Sequence, residues 1–454
     1  MHSSITGQYL TRYQRLDESG GLLPVTGAQR RFVLVRSLDR AGRPDVVPLF
    51  FAFPRGTVDL TRLRAAAGSL AALHPALRAR TAVLRGTPVQ RLGDAEVPAE
   101  RVESAPGEDA KAALRRALGR WPADGTPLRL YLADDGPDAA EEVLAVALDH
   151  AACDGQSLAR ITEELTAAYR DGLGPADVDP GRVAAELRAY REAVLLQLAA
   201  EERASAPAAL AYWAERLCGV QDMTPAAGVR PVPAGLPTGA AEVRIPVPAG
   251  DGVALPFPAL LEACRAAVGA VHGPGHVVPV GYPWGGRPAA AEPVLGCFLN
   301  TVVFPAATGA PAHRQAGPAD PAGDAATAWW DDLDRADTPF DEVVRAARAA
   351  GATAWSGRMD ALLTVEDRSR RAPLRLAGVD GREVSVDGRP VRAPFAVSVS
   401  QGADVELRMV WDRALTDDAA AHDAFGALAA RVRSALPSGP AGPVIAPAGH
   451  RPTS

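Results

Sequence analysis

The sequence predicts an α/β protein organised as two lobes, and three observations carry that expectation. Strand-like and helix-like apolar patterns alternate from residue 46 to about residue 171, and the same mixture resumes after residue 240. At 454 residues the chain is too long for one ordinary core. Between the two mixed regions lies Gly172-Leu173-Gly174-Pro175-Ala176-Asp177-Val178-Asp179-Pro180, whose glycines and prolines read as an inter-lobe linker. The expected boundaries are an N-terminal lobe over 1–180 and a C-terminal lobe over 181–437.

Residues 46–53 form a strand despite Pro48, which assigns them to a sheet edge or a bulge. Asp59 offers a cap for a helix that carries Leu63, Ala67 and Leu70 on one face. His74-Pro75 ends this helix, because the residue before a proline leaves the α region. Residues 79–84 resume as strand, a helix covers about 109–118, and strands follow at 128–132 and 143–148. Leu158, Ile161 and Leu165 then recur at helical spacing. Beyond the linker a long helical region covers 183–217, with charges on one side. Further strands at 241–247, 277–282, 297–304, 362–365, 395–399 and 405–411 are interleaved with helices. The last helix aligns Phe425, Leu428, Val432 and Leu436 on one stripe. Residues 305–325 read as a surface loop, and the tail over 438–454 as disordered. No fixed-period repeat is visible.

Composition narrows the function classes. With 47% hydrophobic and 22% charged residues the chain is an ordinary soluble globular protein. Its net charge of -6 offers no basic surface for nucleic acid or an anionic membrane. No apolar run approaches the roughly 20 residues of a membrane span, and the N-terminus shows no signal-peptide pattern. Cys153, Cys218, Cys264 and Cys297 lie far apart without a CxxC pair, so neither a disulfide framework nor a zinc site is expected and a reducing cytoplasm is the default location. The eight histidines are scattered, and no metal centre is expected. Lys111 is the only lysine, so arginine supplies nearly all the positive charge.

The most informative stretch is Asp149-His150-Ala151-Ala152-Cys153-Asp154-Gly155, at the end of the apolar run 143–148 and just before a helix. It is a strand-to-helix turn. An imidazole there can accept a proton from an attacking amine or alcohol, because its ordinary pKa lies near working pH. A glycine beside it leaves the backbone open to a substrate. This is the pattern of an acyl-transfer site.

With that motif placed, the chain resembles the condensation domains of nonribosomal peptide synthetases, here as a free-standing protein. Val25-Thr26-Gly27-Ala28-Gln29-Arg30-Arg31-Phe32 is similar to the family's opening helix signature, and Leu73-His74-Pro75-Ala76-Leu77-Arg78 to its RHExLR-type motif. Asp149 to Gly155 corresponds to the HHxxxDG motif. Gly286-Arg287 followed by Leu295-Gly296-Cys297-Phe298-Leu299-Asn300-Thr301 resembles GR…GxFxNT, and Pro339-Phe340-Asp341-Glu342-Val343-Val344 resembles PF(D/E)xLV. The resemblance implies two chloramphenicol-acetyltransferase-like lobes in a V-shaped pseudo-dimer, with a central tunnel entered by phosphopantetheine arms of carrier proteins. It implies an acyltransferase that joins a carrier-bound acyl or aminoacyl thioester to an amine or hydroxyl acceptor, with an acyl or peptidyl carrier protein as partner and no bound cofactor.

By the same resemblance His150 is the catalytic histidine and Gly155 the glycine whose backbone approaches the reacting carbonyl. Asp154 pairs with Arg287 and supports the loop, while Asn300 and Ser157 line the tunnel. Asp149 stands where the family has its first histidine. Neighbouring side chains on a strand point to opposite faces, so residue 149 should project away from the face carrying His150, and a buried carboxylate there requires a partner that the sequence does not name. Asp149, Asp154 and Ser157 also fit the DxxxxDxxS signature of heterocyclisation domains, which lack this histidine. Alternative readings stay open. His150 can be a hydrogen-bonded core histidine, or a metal pair with Asp154 that lacks a third ligand. Asp154 can simply cap the following helix. Cys153 is expected to be buried and inert, and Trp284, Trp329 and Trp330 to pack. Alternative functions are acyl-CoA-dependent O-acyl transfer, heterocyclisation, or silent docking of a carrier or tailoring enzyme.

Overall fold

A computed structural model of the chain describes residues 4–17, 21–38, 45–122, 125–136, 138–222, 235–247, 255–272, 275–307, 321–350, 355–368 and 371–436. In chain order the elements begin with helices α1 (Ile5–Leu16) and α2 (Gly27–Leu38), strand β1 (Val46–Pro54) and helix α3 (Leu60–Leu73). Strands β2 (Ala79–Leu84), β3 (Thr87–Leu92) and β4 (Ala99–Arg101) precede helix α4 (Ala110–Gly119). Strands β5 (Leu128–Asp134) and β6 (Glu141–Asp149) lead into helices α5 (Gly155–Asp171), α6 (Pro180–Ala204) and α7 (Pro207–Arg216). Next come β7 (Thr238–Pro246), α8 (Phe257–Val271), β8 (Val277–Gly285), β9 (Leu299–Ala307), α9 (Pro321–Leu333) and α10 (Phe340–Ala349). The chain continues through β10 (Ala361–Asp367), the two-residue strands β11 (Arg375–Leu376), β12 (Val379–Asp380) and β13 (Arg382–Glu383), then β14 (Phe395–Gln401), β15 (Asp404–Asp412) and α11 (Asp418–Ala435).

These elements form two compact units. The first takes the described residues within 1–203, 286–299 and 371–387, and the second those within 204–285, 300–370 and 388–454. The first unit is built on a five-stranded sheet of order β13-β1-β6-β5-β4. Strand β6 is central and buried on both faces, and its alternation shows why. Leu144, Val146 and Leu148 join a core with Leu63, Ala67 and Leu70 of α3 and Ile161 and Leu165 of α5. Ala145 and Ala147 face the other way, against Ala113, Leu114 and Ala117 of α4. Strand β13 pairs with Phe51 and Ala52 at the outer edge of β1, and Pro48 lies further along that edge, outside the β13 pairing, as a proline in a strand requires.

The second unit is built on a six-stranded sheet of order β7-β15-β14-β10-β8-β9. Burial alternates strictly along β15, with Val405, Leu407, Met409 and Trp411 turned inward. This is the pattern of a strand with one covered face. The inward residues share a core with Leu260, Cys264 and Val268 of α8 and Leu428 and Val432 of α11.

Several expectations change at this level. The helical region 183–217 is two helices, because Pro207 takes the first position of a new helix and cannot continue the preceding one. Strand β9 extends to Ala307 and α9 begins at Pro321, so both ends of the expected loop 305–325 are regular; 308–320 and the tail 438–454 lie outside the described residues. Residues 172–180 connect α5 to α6 within the first unit. Their 3-10 turn Pro175–Asp177 sits so close to α3 that a side chain at Gly68 would meet the Pro175 ring at 2.8 Å.

Candidate active site

The HxxxDG stretch forms the corner between β6 and α5. Asp149 is the last residue of β6 and caps a 3-10 turn, His150–Ala152, by accepting from the Ala151 N–H at 2.9 Å. Asp154 caps α5 and Gly155 opens it. The backbone of the turn is tied down on both sides: Asp149 N–H donates to the Pro127 carbonyl at 2.7 Å and His150 N–H to the Asp45 carbonyl at 3.0 Å.

Helix α2 supports this corner along one stripe. Gln29 Nε2 donates to the Ala151 carbonyl at 2.8 Å. The Phe32 ring stacks on the His150 ring, with centroids 4.3 Å apart at 25°. Arg36 Nη2 reaches both carboxylate oxygens of Asp149, at 2.8 and 2.7 Å. Residues 29, 32 and 36 are spaced i, i+3, i+7, so they share one helix face. Arg36 is thus the partner that the sequence left unnamed. Asp149, Arg36, Arg80 and Gln90 border a cavity of about 10 Å³, room for about one water.

His150 is half-buried. Its Nδ1 is enclosed and has no hydrogen-bond partner among the described residues. Among the described residues no carboxylate orients the ring as in a Ser-His-Asp triad, and the Phe32 ring stacks on it instead. At Gly155 a side-chain Cβ would meet no atom of the described residues within 4 Å outside its chain neighbours and its own helix backbone. The protein's own packing therefore gives no reason for a glycine there.

Asp154, Ser157 and Arg287 form one enclosed network. Asp154 Oδ1 accepts from the backbone N–H of Ser157 at 3.0 Å, while Oδ2 accepts from Arg287 Nη1 at 2.7 Å and from the Phe298 N–H at 3.1 Å. Arg287 Nη2 donates to Ser157 Oγ at 2.8 Å, and Arg287 Nε to the Val294 carbonyl at 2.8 Å. The guanidinium also lies over the Phe298 ring, 4.9 Å from its centroid. Ser157, expected to line a passage, is 1% exposed, because the first turn of α5 carries its hydroxyl inward toward Arg287 and Gly296. Gly296 has φ +155, and a Cβ there would lie 2.6 Å from the Phe298 ring. Glycine is the residue that tolerates both conditions.

Asn300 belongs to the second unit. Its Nδ2 donates to the carbonyls of Ala336 and Thr338, both at 2.7 Å, and its Oδ1 accepts from the Phe340 N–H at 3.1 Å. The amide is thus committed to the backbone at the start of α10. Cys153 is fully buried, and that burial pushes its thiol well above the usual range, so a thiolate is disfavoured. Trp329 is buried in the second unit's core, Trp284 packs against it, and Trp330 is 52% exposed.

His74 plays a supporting part. It is fully buried, with Nδ1 2.8 Å from Glu186 Oε1 and Nε2 2.6 Å from Glu164 Oε2. Carboxylates at both nitrogens require both to carry hydrogen. Burial lowers the pKa of His74, but the hydrogen bonds to the two carboxylates outweigh it and the net shift is upward.

No family profile matches the chain. A probable nonribosomal peptide synthetase of Salinispora arenicola, CymA, is 32% identical over 299 residues, which is 62% of this chain and 4% of that protein. The AMB antimetabolite synthetase AmbE of Pseudomonas aeruginosa is 32% identical over 231 residues, 46% of this chain and 10% of its own length. The chain therefore spans a small part of either relative. Among solved structures, the EpoB cyclization-docking bidomain of Sorangium cellulosum superposes with a TM-score of 0.66 at 16% identity, covering 92% of this chain and 85% of that one. The X-domain from teicoplanin biosynthesis gives 0.64 at 18%, covering 91% and 94%, and it is also known in complex with OxyB. The starter condensation domain of the rhizomide synthetase RzmA gives 0.60 at 14%, covering 91% and 96%. The chain has the fold of nonribosomal peptide synthetase condensation domains and resembles part of such synthetases in sequence. No helix among the described residues is long and apolar enough to cross a membrane.

Proposed function

We propose that this condensation-type protein is an acyltransferase. It joins an acyl or aminoacyl thioester, carried on the phosphopantetheine arm of a carrier protein, to an amine or hydroxyl acceptor. The observation that carries the reading is the half-buried His150 ring held on a rigid corner beside the unobstructed Gly155. A thioester is already activated, so the protein's main contribution is positioning. The acceptor attacks the thioester carbonyl, a tetrahedral oxyanion forms, and the carrier thiolate leaves as the amide or ester is released. His150 takes the acceptor's proton through Nε2, with the ring hydrogen on Nδ1, or orients the acceptor and stabilises the charged intermediate. Asp154 and Arg287 do no chemistry in this scheme. They hold the corner.

General-base help is worth about 10²–10⁴-fold. His150→Ala is therefore expected to lose turnover by that factor while keeping its melting temperature, with product followed by intact mass from a loaded carrier and a diffusible amine. Full turnover by the variant would overturn the assignment. Running the same assay with a free CoA thioester separates the carrier-dependent reaction from acyl-CoA-dependent O-acyl transfer.

A second reading is favoured by Asp149, which is engaged by Arg36 where the family has a histidine, and by the likeness to an X-domain seen in complex with OxyB. In that reading the protein recruits a carrier or tailoring enzyme without turnover. Stable carrier binding with no product from any loaded donor favours it.

A further inference from the structure

A second cluster of chemically capable side chains lies in the second unit, apart from the His150 corner in sequence and independent of the acyl-transfer reading. His272 follows the last residue of α8, His276 precedes β8, and Asp360 precedes β10. Strands β8 and β10 are parallel neighbours with Val280 opposite Ala361, so Asp360 enters the sheet beside Pro279, three residues after His276. Three residues that the sequence leaves scattered meet at this end of the sheet. One ligand-type atom from each lies within 4.8 Å of the other two. His276 Nε2 is 2.7 Å from Asp360 Oδ2, and His272 Nε2 is 4.0 Å from the same oxygen. The two imidazole rings are 4.7 Å apart.

Two features distinguish this grouping from an ordinary histidine–aspartate hydrogen bond. His272 Nε2 is enclosed and has no hydrogen-bond partner among the described residues. A buried ring nitrogen without a partner is costly, and here it belongs to the same cluster as the buried carboxylate. The cluster is also backed by regular structure. Asp360 N–H donates to the Pro279 carbonyl at 3.1 Å and its carbonyl accepts from the Phe395 N–H at 3.2 Å, so the carboxylate is mounted on the sheet.

We propose that His272, His276 and Asp360 form a binding site for a divalent transition-metal ion of zinc's size. Two imidazole nitrogens and one carboxylate oxygen are a familiar zinc donor set, with bonds of about 2.0–2.2 Å and a fourth position for water. Ligand atoms on a tetrahedron of that size are about 3.3 Å apart, and the two separations to Asp360 Oδ2 straddle that value. The ion takes the place of the hydrogen between His276 Nε2 and Asp360 Oδ2, and it gives His272 Nε2 a partner. It ties the end of α8 and the start of β8 to the start of β10, a structural role.

The test uses tag-free, full-length protein stripped with chelator and then titrated with Zn²⁺ alone or Co²⁺ alone. The expected results are one equivalent bound, visible Co²⁺ d–d bands of tetrahedral strength, and a higher melting temperature with Zn²⁺. His272→Ala and His276→Ala are each expected to weaken binding by at least about tenfold and to abolish the Co²⁺ bands. Asp360→Asn is the third variant, and because Asp360 is buried the histidine variants are the ones that decide if it fails to fold. Absence of saturable binding by the wild type, or unchanged bands in both histidine variants, overturns the site. Condensation activity is not a readout here, so failure of the acyl-transfer reading leaves this result standing, and the reverse.

Discussion

Asp149 and Asp154 stand five positions apart on one corner, and each is answered by a different arginine. Arg36 comes from α2 and Arg287 from the segment after β8. The two pairs differ in enclosure: Arg36 and Asp149 are 19% and 15% exposed at their side chains, Arg287 and Asp154 10% and 6%. Removing one partner of a buried pair costs about 3–5 kcal/mol, so Arg287→Met should lose that much in urea unfolding. A melting curve like the wild type's would contradict the pairing. Arg36→Gln and Asp149→Asn should each cost less, about 1–3 kcal/mol, and the double variant less than the sum of both, which a double-mutant cycle measures. If the single effects simply add, the contact has no energetic coupling. The glycine and histidine of this corner are legible as a motif in the sequence. The arginine is not, because Arg36 lies 113 positions from Asp149 and nothing local marks it.

Among the elements, α2 carries the corner through Gln29, Phe32 and Arg36, and Phe32 is the residue that sets the plane of the His150 ring. Phe32→Ala is expected to lower kcat by up to about 10²-fold through misplacement of the imidazole, with KM nearly unchanged, whereas Phe32→Tyr keeps the stack and most of the rate. Equal kcat in both variants would remove Phe32 from the mechanism. His74 joins α3 to α5 through Glu164 and to α6 through Glu186. Its folded pKa is raised above the unfolded value near 6.5, so the stabilisation it gives is complete below that value and is lost as pH rises through the folded pKa. Glu164 is shifted downward: burial opposes ionisation, but the hydrogen bonds and charges of His74 and Arg160 prevail, so its share is lost as pH falls through its own folded pKa. The melting-temperature advantage of the wild type over His74→Gln should therefore shrink from about pH 6 to pH 9; an advantage constant over that range would contradict the imidazolium pair. Helices α3 and α5 are legible in the sequence through the cap residues Asp59 and Asp154, and α11 through its apolar stripe, of which Leu428 and Val432 are buried. Strand β3 is not, since the polar Gln90 is buried in it and breaks the apolar pattern. The two-residue strands β11 to β13 are too short for any periodicity to register.

On the scale of the molecule, the two units do not follow one another along the chain. The first is completed by 286–299 and 371–387, which bring Arg287, Gly296, Phe298 and the edge strand β13. A fragment of residues 1–203 lacks all of these and leaves Asp154 without its arginine. It is expected to bind a hydrophobic dye and to show no cooperative thermal transition by circular dichroism, and a sharp two-state melt would contradict the division. The alternation of strand and helix makes an α/β chain legible from sequence, but a composition pattern cannot show that a later segment returns to an earlier unit. That return has a consequence for biosynthesis. Arg287 is encoded 133 positions after Asp154. At the usual pace of about 5–20 residues per second, a ribosome makes the carboxylate on the order of ten seconds before the guanidinium that neutralises it. Until translation has passed well beyond the motif, the nascent N-terminal portion lacks the guanidinium that completes its charge network.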